Sequence, residues 1–102
     1  MKLTVRITRR AEQDLFAIGR YTLKEWSKAQ RDEYLRKIIG RINWLAERPR
    51  IGKQRGDIAE GYYSFLEGSH VIFYIFDEVN IDIIGIPHQA MDIENYFHSE
   101  DD

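Results

Sequence analysis

Hydrophobic and polar residues alternate along LTVRIT, residues 3–8, where Leu3, Val5 and Ile7 are separated by Thr4, Arg6 and Thr8. A period of two with β-branched residues predicts a strand with one buried face. Thr8 then offers a helix N-cap, and the period changes. Ala11, Leu15, Ile18, Thr22 and Trp26 recur at steps of three and four, which is the apolar stripe of a helix over about residues 9–26. Glu12 and Asp14 fall near its positive N-terminus, where carboxylates are favourable. Ser27 and Gln30 have capping-box spacing. Beyond them Leu35, Ile38, Ile42 and Leu45 mark a second stripe, widened by Ile39 and Ala46. That helix should span about 28–47 and stop before Pro49. With almost no linker between them, the two helices form a hairpin.

Residues 48–61, RPRIGKQRGDIAEG, hold one proline and three glycines without a period, and read as a loop. Three strands follow in YYSFLE, HVIFYIF and IDIIGIP. The second is apolar on both alternating faces, as a central strand is. The short connections through Gly68 and DEVN imply an antiparallel meander. A short C-terminal helix over about 89–98, or a segment of a partner, would cover the sheet face that the hairpin leaves open. An exposed edge strand could also accept an added strand. The fold class is therefore α+β, two-layer: a β-α-α-β-β-β order with a helical hairpin packed on one face of an antiparallel-dominated sheet. Residues 1–102 make one domain's worth of chain.

Charge changes this picture more than composition does. All 15 Lys and Arg lie between Lys2 and Arg55. Residues 1–56 carry 15 basic and 6 acidic residues, a balance of +9; residues 57–102 carry 11 acidic residues and no Lys or Arg, a balance of −11. Such asymmetry bears on partners and not on fold. A footprint for nucleic acid exists at Arg9, Arg10, Arg20, Lys24 and Lys28, but Glu12, Asp14 and Glu25 interrupt it, so DNA contact is expected only indirectly. The chain has no cysteine, which excludes disulfides and thiol chemistry and fits a reducing cytoplasm. No stretch approaches the ~20 apolar residues of a membrane span, and MKLTVRITRR lacks the apolar region of a signal peptide.

The candidate chemistry is sparse. His70, His88 and His98 lie too far apart in sequence to suggest a ligand set, so neither a metal nor another cofactor is expected. His88, directly after the last strand, has the ordinary pKa of about 6.5 that suits a general acid or base. Its structural alternative is a ring lying under the C-terminal tail and hydrogen-bonded to Asp92. His70 should be a packed residue at the edge of the core. Trp44 and Phe73 should be core. Tyr62, Tyr63, Phe65, Tyr96 and Phe97 are candidate anchors for a partner, since aromatic residues dominate binding hot spots.

Four segments in order, AEQDLFAIGRY (11–21), INWLAERPRIGKQR (42–55), HVIFYIF (70–76) and IIGIPHQAMD (83–92), resemble the ParE branch of the RelE/ParE toxin superfamily. The resemblance implies the toxin of a bacterial type II toxin–antitoxin pair. It implies neutralisation by a cognate antitoxin, ribbon-helix-helix and ParD-like, that wraps around the toxin. ParE-branch members are associated with inhibition of DNA gyrase; RelE-branch members cleave mRNA on the ribosome. RNA cleavage needs an acid, a base and cations or donors around the phosphorane. The last three strands carry no cation, which favours the gyrase-directed reading, without catalytic residues. The alternatives are a ribonuclease using His88 and a non-toxic antitoxin-binding protein. Candidate target contacts are His88, Met91, Asp92, Tyr96 and Phe97. Candidate antitoxin contacts are Tyr62, Tyr63, Phe65, Arg48, Arg50, Lys53 and Arg55.

Overall fold

The computed structural model describes residues 2–98; Met1 and residues 99–102, the ends of the expected 1–102 domain, lie outside the described residues. Strand β1 (Thr4–Ile7) leads into α1 (Arg9–Glu25) and α2 (Lys28–Glu47). After a 3₁₀ turn at Pro49–Ile51 come β2 (Lys53–Gln54), β3 (Tyr63–Glu67), β4 (His70–Phe76), β5 (Asn80–Gly85) and α3 (Ile93–His98). Both expected N-caps form: the Thr8 hydroxyl accepts from the Ala11 N–H and the Ser27 hydroxyl from the Gln30 N–H. The strands form one sheet in the order β1-β5-β4-β3-β2. Strands β2 to β5 are antiparallel to their neighbours, while β1 pairs parallel with β5, Val5 opposite Ile81. The α+β class, the hairpin and the central position of the HVIFYIF strand are all as the pattern predicts.

The α1–α2 hairpin covers one sheet face. Ile18, Ile38, Ile42, Leu45, Ile72, Tyr74, Ile81 and Ile83 form the core between the layers, and each large apolar side chain buried there contributes about 1.5–3 kcal/mol. Tyr74 is fully buried. Its hydroxyl donates to the Pro49 carbonyl (2.7 Å) and accepts from the Gly52 N–H (3.2 Å), fixing the 3₁₀ turn to the sheet. Burial pushes the Tyr74 phenol up to about 12.

Several expectations need correction. The 48–61 segment contains the 3₁₀ turn and β2 rather than loop alone. The C-terminal helix begins at Ile93, not 89; residues 89–91 turn ahead of it. Trp26 extends the apolar period of α1 but sits at its C-cap, past the last helical turn, and is 66% exposed. Ile39 points away from the core and is 42% exposed. Phe73 is fully buried, as expected, and lies on the sheet face opposite the hairpin.

Candidate functional site

The second face of the sheet is closed by the chain's own tail. A register shift between Phe73 and Tyr74 sets Phe73 opposite Gly85 on this face. Phe97 of α3 stands edge-on over Phe73, ring centroids 5.1 Å apart, and against Tyr62 at 5.7 Å. Tyr96 lies over Gly85, where a Cβ would meet its hydroxyl and ring. The Tyr96 hydroxyl donates to Asp14, and the same carboxylate oxygen accepts the Ile86 N–H at 2.8 Å. Arg10 lies over the Tyr96 ring, 4.9 Å from its centroid, and donates to the Tyr96 carbonyl at 3.2 Å. Burial first, and then the Asp14 carboxylate, push the Tyr96 phenol well above its ordinary range.

Cations reach this face from the first half of the chain, so the absence of Lys and Arg after residue 56 does not leave it without them. Arg6 of β1 binds Asp82 of β5 (2.6 Å). Arg55, four-fifths buried at its side chain, stacks over Phe73, donates to the Ser64 hydroxyl (3.3 Å) and pairs with Asp57 (3.1 Å). The hydrogen bond from Arg55 holds the exposed Asp57 carboxyl below the usual carboxylate range. Each of these guanidinium groups already faces a carboxylate or carbonyl.

His88 is elsewhere. It lies beside a groove of about 440 Å³ between the hairpin and the start of β4. Tyr21, Trp26 and Tyr34 are its aromatic walls, with Glu33, Lys37, His70 and His88 also lining it. The His88 ring meets His70 edge-on at 5.3 Å. Its Nδ1 accepts from the Ala90 N–H (3.0 Å) in place of the expected hydrogen bond with Asp92, and the ring lines the groove beside His70. Asp92 instead caps α3, accepting from the Asn95 N–H. His70 is a half-buried core-edge residue, as expected, with Nδ1 2.6 Å from the Tyr34 hydroxyl. Among the described residues no three His, Cys, Asp or Glu side chains cluster as a metal site.

The two expected contact sets do not stay apart. Tyr62 and Arg55, expected to meet the antitoxin, join Tyr96 and Phe97, expected to meet the target, in the closure of the second face. Tyr63 and Phe65 face the helical layer instead: Tyr63 stacks on Tyr74, and Phe65 packs on Trp44. Arg48 lies over Trp44 and Arg50 over Phe76. Lys53 is exposed on β2, and Met91 is exposed before α3. Sequence reasoning passed over Asp14, Tyr34 and the Tyr21–Trp26 wall. Asp14 carried a signal: it stands one turn before Ile18 and three residues after Ala11, a carboxylate on the buried side of α1.

The two-layer domain, with a helical hairpin on one face of the sheet, is a fold shared with solved structures. It superimposes on a chain described as the chromosomal ParDE TA system from P. aeruginosa with a TM-score of 0.73, at 17% identity over 85% of this chain and 96% of that one. It also matches a chain of the toxin–antitoxin complex RelBE2 from Mycobacterium tuberculosis, with a TM-score of 0.61 at 22% identity over 86% and 99%. Residues 5–93 match the family described as the ParE toxin of type II toxin–antitoxin system, parDE. The chain is 36% identical to Toxin ParE1 of Caulobacter vibrioides over 84% of its length and 88% of the relative's. It is 35% identical to Toxin ParE1 of M. tuberculosis over 82% and 87%. This chain belongs to the ParE toxin family.

Proposed function

We propose that this chain, acting as a single domain over 1–102, arrests growth in the cytoplasm by binding DNA gyrase rather than by catalysing a reaction. A cognate antitoxin, ParD-like and ribbon-helix-helix, neutralises it, and the toxin meets DNA only through the antitoxin or the gyrase complex. Its structural neighbours come from a ParDE system and a RelBE2 toxin–antitoxin complex, which supports an antitoxin partner. No helix among the described residues is long and apolar enough to cross a membrane.

One observation carries the non-enzymatic reading: His88 stands apart from the arginines. The groove it borders is lined by Lys37, which is 3.7 Å from Glu33, and by none of Arg6, Arg10 or Arg55. Charge stabilisation around a developing oxyanion is usually the largest catalytic contribution, and His88 has no guanidinium in its groove to supply it. The face that does hold arginines is covered by α3, with Phe73 fully buried. A binding inhibitor needs complementary surface alone.

Expression from an inducible promoter tests this reading. Wild type and His88→Ala should arrest growth equally, and both should be relieved by the cognate antitoxin. Arrest lost in His88→Ala, with antitoxin binding kept, would favour the ribonuclease; no arrest from wild type would favour the non-toxic partner protein. Target contact by the tail is better probed by Met91→Glu than by truncation, because removing α3 uncovers Phe73. Met91→Glu should leave the unfolding transition unchanged, within about 0.5 kcal/mol, while weakening arrest.

A further inference from the structure

Two imidazoles at the end of the groove are each hydrogen-bonded at Nδ1. The Ala90 N–H donates to His88 Nδ1 at 3.0 Å. The Tyr34 hydroxyl receives the Ser69 N–H at 3.0 Å and is hydrogen-bonded to His70 Nδ1 at 2.6 Å. An imidazole that accepts at Nδ1 is neutral and holds its proton on Nε2. Adding a proton to His88 sets an N–H against the Ala90 N–H, and a protonated His70 has to donate from Nδ1 to the Tyr34 oxygen, which already receives the Ser69 N–H. The rings are 5.3 Å apart, so two charges there also repel each other.

The same two residues form a seam. His70, the first residue of β4, pairs with His88, beyond the end of β5, as an antiparallel bridge. The Val71 N–H donates to the Pro87 carbonyl (2.9 Å), the Gln89 N–H to the Ser69 carbonyl (2.8 Å) and the Met91 N–H to the His88 carbonyl (3.0 Å). Residues 87–91 are thus fastened to the start of β4, which Tyr34 in turn ties to α2 through Ser69 and His70. They are the root of the segment that carries α3.

We propose that the His70–His88 pair is an acid-operated latch: neutral, it holds residues 87–91 against β4 and α2, and protonated, it frees that turn and reshapes the groove. The surrounding charges do not compensate for a new imidazolium. From β3, Glu67 stands opposite His70 in the sheet but is held by Arg41 at 2.8 Å; from α2, Glu33 faces the groove but has Lys37 at 3.7 Å and Arg36 at 3.9 Å, and Lys37 is itself cationic. From α1, Tyr21 is neutral, and Asp14, which favours a protonated His70, is held by the Ile86 N–H and Tyr96. Burial and the neighbouring His88 outweigh Asp14 and push His70 down to about 4. A depressed imidazole stabilises the fold fully above the unfolded value of about 6.5 and loses that stabilisation as pH falls towards 4.

Amide hydrogen exchange of the whole chain, followed by NMR from pH 7.5 to 4.5 and corrected for intrinsic rates, tests the latch. In wild type, opening at Gln89, Ala90 and Met91 should rise up to about tenfold per pH unit below 6.5, while core amides such as Ile72 stay protected. His88→Asn and His70→Asn place a non-titrating acceptor where Nδ1 stood, so each should flatten this pH dependence. Equal protection of Ala90 across the range in wild type would overturn the proposal. So would an unchanged pH dependence in both asparagine variants. The wild-type imidazole resonances, titrated in the same samples, give a readout independent of the variants: the Ala90 amide should change with the His88 titration, and a silent Ala90 would also sink the latch.

Discussion

Tyr74→Ala is expected to cost about 3–5 kcal/mol, a large part of the stability of a domain this size. The side chain is fully buried in the central strand between β3, β5 and the hairpin. Its ring stacks on Tyr63, centroids 5.6 Å apart, and its removal leaves a cavity at the most constrained point of the sheet. The hydroxyl also ties Pro49 and Gly52 to the core. Tyr74→Phe isolates that tie and should cost about 1–2 kcal/mol. Urea and thermal unfolding of the two variants measure both values, with the midpoint of Tyr74→Ala falling by roughly 15–30 °C. A loss below about 1 kcal/mol in Tyr74→Ala would mean that the 3₁₀ turn and core repack around the gap.

Gly85→Ala should unseat the tail. An added Cβ meets the Tyr96 hydroxyl inside contact distance and ring carbons at 2.9 and 3.0 Å. Tyr96 cannot swing aside without leaving Asp14, and Phe97 follows it off Phe73. Overpacking of this kind costs about 1–3 kcal/mol. Tyr96→Ala alone should also destabilise, but in the double variant the steric conflict no longer exists. The two changes should therefore be strongly non-additive, with the double variant close to Tyr96→Ala alone. Additive costs would show that α3 does not rest on Gly85. Binding of a hydrophobic dye is a second readout: it should rise in Gly85→Ala as Phe73 becomes accessible, and fall back if α3 is held down by an engineered cross-link.

The helices could be read from the chain because their causes are local. Apolar steps of three and four, the hydroxyls of Thr8 and Ser27, and Pro49 act within a few residues of one another. The central strand was readable for a similar reason, since HVIFYIF is apolar on both faces and can only be covered on both. Strand β2 was not, because Lys53 and Gln54 carry no pattern and pair only through β3. Closure of the second face rests on contacts such as Tyr96 with Asp14, 82 residues apart, for which periodicity gives no sign. The charge split misled for the same reason. Parallel pairing of β1 with β5 brings Arg6 to Asp82, and the turn after β2 brings Arg55 over Phe73. Cations absent from the last strands in sequence therefore lie beside them in space. Trp26 shows the limit of the helical period itself, which continued one step beyond the helix.

The proposed toxin action is binding rather than cutting. Purified protein assayed for gyrase supercoiling and gyrase-dependent DNA breaks, beside mRNA cleavage in a translating extract, tests this most directly. The expected result is inhibited or poisoned gyrase with intact mRNA, the same for wild type and His88→Ala. Cleaved mRNA with untouched gyrase, abolished in His88→Ala, would contradict it and make the groove beside His88 an active site.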